Sequence, residues 1–406
     1  MEAMNKHQID LTKKDFLIPA RSAFHRSPKI LLTVGIIGLV LSFLFVFLGK
    51  AEAFYFSYLV AFAYFLSIAL GALLFVIIHF AANSTWSVVI RRVAENIMGT
   101  LPIFAILFIP LLFGLHDLYH WAHEGITKTD NILAWKEPYL NLPFFIVRAV
   151  IYLLVWGIMS HFFLKVSLDH DKSGDPVLLR KLQVASYPSL LLFGLSLTFA
   201  SFDWLMSLDP HWYSTMFGVY YFSGAMVSIF ALLSIIFIWL HYKGFVEHAV
   251  TTEHFQDLGK LLFAFSCFWA YIAFSQFMLI WYANLPEEAI WFAHRWQGTW
   301  KPFSIFLAAG HFGIPFFYLM PRTIKRKPWA LLIGSTWMLV IHYLDIYWLV
   351  MPTYQRHGVD FGILDLLTLF GIGGVFLGIV AWRMSLHPLI PIRDPRLEES
   401  VAFINQ

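Results

Sequence analysis

The chain has 406 residues, of which 59% are apolar, 18% aromatic and only 13% charged, with a formal net charge of +3. That balance is foreign to soluble globular domains and reads as an all-α integral membrane protein, while so small a charge gives no reason to expect nucleic acid as a partner. The single cysteine, Cys267, excludes an internal disulfide, a Cys-ligated iron–sulfur cluster and a CxxCH haem attachment within the chain.

The first stretch, residues 1–28, is polar and basic and lacks a short apolar core followed by a small-residue cleavage site. The expectation is a cytoplasmic N-terminal segment from which no signal peptide is removed. A membrane domain over 29–384 follows, with about ten apolar stretches of roughly the 20 residues that cross a hydrocarbon core. They centre on Leu31–Leu48, Phe54–Phe80, Val88–Phe113, Leu142–Leu164, Leu182–Phe202, Tyr213–Leu240, Leu258–Tyr282, Pro302–Met320, Trp329–Val350 and Ile363–Arg383. Residues 385–406 form a tail.

Most of the 28 Lys and Arg residues lie at the N-terminus, the even-numbered connections and the tail; the other side holds Lys50, Lys128, Lys136, Arg295 and Arg356. This asymmetry predicts that both termini are cytoplasmic. The connection between spans five and six, "SFDWLMSLDPHWYSTM", is then outward. Asp209-Pro210 reads there as a helix start, carboxylate at the N-cap and proline at N1. Trp204, Trp212 and Tyr213 suit an interfacial aromatic belt. Asp203 lies one to two turns deeper, where an acid is costly unless paired, hydrated or functional.

Other polar residues inside spans take the same reading. Near the cytoplasmic ends are His79, Glu95 and His161 with Lys165. Glu95 also has a plain alternative, an ion pair with Arg91 or Arg92 on the same helical face, and Lys165 can snorkel to the headgroups. In the middle or outer half are Asp203, His311, and His342 with Asp345 three residues on, with Arg148 as a possible counter-charge. Each fits a polar residue packed against a neighbour. Together, with hydroxyls such as Tyr271 and Ser275 between, they are what two proton half-channels require.

The outward loop "HDLYHWAHEG" carries His116, Asp117, His120, His123 and Glu124. His116 and His120 fit one helical face, but the spacing matches no strong metal signature, and a polar surface docked to a partner is the preferred reading. No metal site is assigned. "GIGG" at Gly371–Gly374 reads as close helix packing. "YFLSIALGALLFVIIHF" and "YYFSGAMVSIFALLSIIFIWLH" resemble one another weakly, which predicts two four-helix bundles, spans 2–5 and 6–9, flanked by spans 1 and 10.

The segments "SFDWLMSLDPHWYSTMFGVYYFSGA", "FWAYIAFSQFMLIWYANLPEE", "HRWQGTWK" with "HFGIPFFYLMPR", and "VIRRVAENI" carry a further signal. Over nearly the whole chain they resemble the NrfD-type membrane subunits of bacterial alternative complex III, in particular the second of its two such subunits. The resemblance implies a quinol:cytochrome c (or oxidase) oxidoreductase in the bacterial inner membrane. It implies partners too: a paralogous NrfD-like subunit that oxidises quinol, an iron–sulfur subunit, c-type haem subunits and a terminal oxidase. The expected role here is structural and proton-conducting, with His79, Glu95 and His161 serving an inner half-channel and Asp203, His311, His342 and Asp345 an outer one. No cofactor is expected on this chain itself. Three alternatives stay open: that this chain itself binds quinol, that two of His79, His161, His311 and His342 ligate a b-type haem, or that the chain is a secondary transporter.

Overall fold

In the computed structural model, residues 16–19 and 21–405 are described, so part of the expected N-terminal segment lies outside them. Among the described residues ten helices are long and apolar enough to cross a membrane: Ala23–Phe47, Ala51–Ala81, Val88–Phe113, Leu142–Ser173, Pro176–Leu208, Phe217–Tyr242, Thr252–Ala283, Trp300–Leu319, Pro328–Tyr354 and Ile363–Leu386, numbered here as spans 1 to 10. No strand occurs among the described residues. The chain is an all-α integral membrane protein, as only helices and closed barrels satisfy backbone polar groups in lipid.

Spans 2 and 6 sit at the centre and pack on each other. Span 2, apolar all round, is buried on nearly every face from Phe54 to Phe80, as a helix without a polar stripe must be. Its approach to span 6 is close because Gly71 has no side chain: a Cβ there would lie 2.4 Å from the Ala225 carbonyl oxygen. Spans 3, 4 and 5 pack in sequence, with spans 3 and 5 against span 2; spans 7, 8 and 9 pack together, with spans 7 and 9 against span 6. Spans 1 and 10 pair with each other and lie against span 2. Their seam is glycine on glycine, Gly35 and Gly38 against Gly371 and Gly374; a Cβ on Gly35 would meet the Val375 nitrogen at 2.5 Å. The close packing expected of "GIGG" is present.

Span 8 is interrupted. A single π-helical turn, Ala309–Gly313, separates Trp300–Ala308 from Ile314–Leu319. The cause lies two residues beyond it: Pro315 has no N–H for the His311 carbonyl, and its ring crowds that carbonyl.

Both described ends of the chain meet at one face, where Leu389 N donates to Phe16 O at 2.9 Å. The tail is part of the fold. Leu389, Ile390 and Leu397 are buried, and the Ser400 hydroxyl donates to Trp86 O at 3.1 Å.

Three expectations for the span 5–6 connection are corrected. Asp209 caps no helix: the proline after it disfavours the helical conformation, Trp212 N turns back to its carbonyl, and the next helix starts only at Phe217. Trp204 is buried among Phe62, Phe108, Tyr152 and Trp156 rather than at a membrane interface. Trp212 is buried as well, stacked 4.5 Å from Trp291; only Tyr213 is exposed.

Candidate functional site

The polar residues inside the spans fall into three separate groups. At the face carrying the chain ends, Glu95 is fully buried and bridged to both Arg91 (3.3 Å) and Arg92 (3.1 Å), while Ser167 donates to its carboxylate at 2.9 Å. Arg91 reaches on to Asp394 of the tail at 2.8 Å and Arg92 to Asp171 of span 4 at 2.6 Å. This is a closed charge network that fastens spans 3 and 4 and the tail. Burial alone would push the Asp394 carboxyl up, but the charges and hydrogen bonds of Arg91 and Arg396 outweigh it and hold it well below its ordinary value. His79 stands apart, with Nδ1–H donating to its own helix at Phe75 O (2.6 Å) and its ring against Phe75 and Trp86. His161 and Lys165 are exposed on the outer side of span 4. The inner trio His79, Glu95 and His161 is therefore not brought together, because span 4 is rotated so that His161 faces away from its neighbours.

The second group is Asp203. Arg148 grips it with two parallel bonds, Nε to Oδ2 at 2.7 Å and Nη2 to Oδ1 at 3.0 Å, and the Tyr152 hydroxyl adds a third at 2.9 Å. The guanidinium also donates to Tyr139 O and lies on the Tyr139 ring, 3.8 Å from its centroid. The counter-charge expected of Arg148 is there. A carboxylate so fully occupied by a fork of donors is a fixed ion, and it shares no partner with the other acids.

The third group does converge. Asp345 of span 9, His342 one turn before it, and His311 on the π turn of span 8 are all fully buried, and ligand atoms of the three lie within 4.8 Å of one another. The π turn offsets the helical register where His311 sits. One face of its ring is stacked on Trp269 of span 7 at 3.7 Å. Both Asp345 oxygens accept hydrogen bonds: Oδ1 from the Tyr220 hydroxyl of span 6, Oδ2 from Trp269 Nε1 at 3.1 Å. His342 Nε2 is 2.8 Å from Ser67 Oγ of span 2, whose hydroxyl donates to Tyr64 O at 2.7 Å. Both bonds are made only if Nε2 carries the His342 proton, which leaves Nδ1 a bare acceptor. That nitrogen lies 3.9 Å from Asp345 Oδ2, and His311 Nε2 lies 4.0 Å from the same oxygen. Neither His311 nitrogen nor His342 Nδ1 has a hydrogen-bond partner among the described residues. Gly224 makes the close packing possible, since a Cβ there would sit 2.5 Å from His342 Cε1.

Two imidazoles and a carboxylate also form a donor set of the transition-metal type. A divalent ion balanced by one carboxylate would place net positive charge in a dry bilayer-spanning site, at a cost that one proton on the same groups avoids. Trp269 stacks on one face of the His311 ring, and span 6 is in contact with His342.

One cavity borders this cluster through Tyr220 and Trp269, the partners of Asp345, and a second meets the first at Arg295. One, about 800 Å³, includes Tyr220, Trp269, Gln276 and Arg295 in its lining; the other, about 300 Å³, is polar and lined by Glu52, Asp117, His120, Asp209 and His294, and by Arg295 again. Arg295 is 3% exposed, donates to the carbonyls of Trp291, Trp348 and Leu349, and lies 3.4 Å from the Trp291 ring centroid. Burial lowers its pKa to about 9, so it is still a cation at neutral pH. The loop "HDLYHWAHEG" borders the polar cavity. His116 and His120 do not share a helical face there, since a single turn ends at Leu118 and a 3₁₀ turn starts at His120; His116 stacks instead on His123 at 4.2 Å.

Neither family models nor curated proteins give the chain a match. Sequence reasoning found His311, His342 and Asp345 but missed Tyr220, Trp269, Ser67, Gln276 and Arg295. In span 7 it chose Tyr271 and Ser275. Tyr271 is exposed, and Ser275 bonds its own helix at Ile272 O. The inward face runs instead through Leu262, Ser266, Trp269, Ile272, Gln276 and Ile280, a spacing of three and four that was readable as a helical stripe.

Proposed function

We propose that this multi-pass membrane protein is a membrane subunit of a respiratory quinol:cytochrome c (or oxidase) oxidoreductase of the alternative complex III type, seated in the bacterial inner membrane. Its own chemistry in this reading is proton transfer at Asp345, His342 and His311. The supporting observation is the convergence of a buried carboxylate with two buried imidazoles whose facing nitrogens have no partner. A proton arriving there has three acceptors within reach of one another, whereas Glu95 and Asp203 are each held by an arginine. The redox groups, c-type haems and iron–sulfur clusters, belong in this reading to partner subunits, with quinol oxidised by the paralogous subunit. The His-rich loop around the polar cavity is the surface offered to a partner. Asp203 and Glu95, expected in half-channels, are assigned here to holding helices together.

The test is to purify the native complex through a tag on this chain and measure quinol:cytochrome c turnover and proton translocation in liposomes. Asp345→Asn is expected to leave the assembly intact and to reduce proton translocation about 100-fold, the low end for losing a positioned proton-transfer group. His342→Gln should reproduce the loss. Asp203→Asn should leave translocation close to wild type once the protein is folded. A chain that purifies alone, without haem-bearing partners, overturns the oxidoreductase reading; unchanged translocation in Asp345→Asn overturns the proton-transfer role.

A further inference from the structure

On the face that carries the chain ends, span 10 meets span 3 around an arginine whose charge is left over. Arg383 stands in the last turn of span 10, and the missing side chain of Gly99 lets its guanidinium lie against span 3: a Cβ on Gly99 would sit 2.9 Å from Arg383 Cζ. Its Nε is buried and has no acceptor among the described residues. Among those residues no carboxylate is near enough to balance it. The acids of the neighbouring network are already taken, Glu95 by Arg91 and Arg92, Asp171 by Arg92, and Asp394 by Arg91 and Arg396.

An arginine that merely snorkels carries its head into water, whereas this one is laid along a helix with part of its head sealed. Its surroundings suit an anion. One turn on, His387 has its pKa lowered by burial and by the charges of Arg92, Arg383 and Lys172, so the local field is positive. One turn before Gly99 on span 3, Asn96 is fully buried and neither of its amide atoms has a partner, so an N–H stands unmet there whichever way the amide is turned. Trp382 and Leu386 flank Arg383 on the outside and are half exposed, which makes the approach apolar. A tryptophan beside a cation at a helix end is the pattern of the headgroup level.

We propose that Arg383, with His387 beside it, binds the phosphate of an anionic phospholipid in the leaflet at this face. The guanidinium meets the phosphate with parallel N–H···O bonds, and the acyl chains run along Trp382 and Leu386. Basic pockets between helix ends hold such headgroups by the same chemistry. A free phosphate offers the anion but leaves the apolar flank uncovered. The inference is independent of the oxidoreductase and proton-transfer readings.

For the test, the protein is purified through its tag with whatever subunits accompany it. It is placed in phosphatidylcholine vesicles containing a trace of phosphatidylglycerol with a diazirine high on one acyl chain. After photolysis, peptide mass spectrometry is expected to find label within residues 375–390, displaced by excess unlabelled phosphatidylglycerol but not by further phosphatidylcholine or by inorganic phosphate. Arg383→Gln should reduce labelling about tenfold, the worth of a hydrogen bond to a charged group. Arg383→Lys, which keeps the charge but not the fork, should reduce it less. Lys165→Gln, which removes an exposed cation of span 4, should leave it unchanged. Displacement by inorganic phosphate overturns the lipid in favour of a free anion. A segment that stays unlabelled, label that phosphatidylcholine displaces equally well, or label that survives Arg383→Gln in a protein of normal size overturns the site. If Arg383→Gln does not assemble, the wild-type preference for phosphatidylglycerol over phosphatidylcholine decides by itself.

Discussion

Arg148 and Asp203 show how a residue that looks functional from its depth becomes structural through its partner. An acid inside a membrane span is expensive, and the bidentate guanidinium, together with the Tyr152 hydroxyl, offsets that expense. Arg148→Met leaves Asp203 buried and uncompensated, and should cost about 3–5 kcal/mol of stability. Arg148→Met with Asp203→Leu should recover much of that loss, because replacing a buried pair by apolar groups is often near neutral. Thermal unfolding of the four proteins in detergent, set out as a double-mutant cycle, measures the coupling. Asp345 differs in kind: its bonds come from neutral donors, a phenol and an indole, so no fixed cation competes for its proton.

At the scale of elements, two features of the helices decide the architecture. The seam between spans 1 and 10 depends on atoms that are not there, since Gly35 and Gly374 bring the two backbones together where any side chain would collide. Gly35→Val should separate the helices and destabilise the protein by about 1–3 kcal/mol, as overpacking does, read as a lower melting temperature in detergent. Gly194→Ala is the control, because nothing lies near a Cβ there and its melting temperature should not fall comparably. The second feature is the π turn. Replacing Pro315 by Ala restores an N–H to the His311 carbonyl and favours a continuous α-helix, which rotates His311 off Trp269. The expected readout is proton translocation reduced towards the Asp345→Asn level, with the tagged complex still assembled.

At the scale of the whole molecule, the tail closes the face where the chain ends meet, and it does so by charge. The carboxyl of Asp394 is held below its ordinary value by Arg91 and Arg396, so the folded state binds its proton less readily than the unfolded chain does. The sign follows: this stabilisation is fully present above the ordinary carboxylate value near 3.8 and is lost progressively as pH falls below it. Hydrogen exchange of residues 389–401 should stay slow from neutral pH down to about 5 and, once corrected for intrinsic rates, speed up below about 4. In Asp394→Asn the tail should exchange faster at neutral pH and show little of that acid step.

Composition and the length of apolar runs were enough for the class of molecule and the ten spans, because crossing a hydrocarbon core demands about 20 apolar residues however the helices are arranged. Local spacing was enough for the Arg91–Glu95 pair, for His342 and Asp345 on one face, and for glycine packing at Gly371–Gly374. The rotation of each helix was decided only by tertiary packing. It turned His161 and Tyr271 outward and Trp269 and Gln276 inward, since one residue of shift moves a side chain about 100° around the helix. Long-range pairing was equally hidden. Depth offered Arg148 as a counter-charge without saying which acid it reaches, and nothing local shows that span 6 supplies Tyr220 and span 2 supplies Ser67 to the Asp345 cluster, because those neighbours come from helices far apart in sequence whose contacts exist only once the bundle has closed.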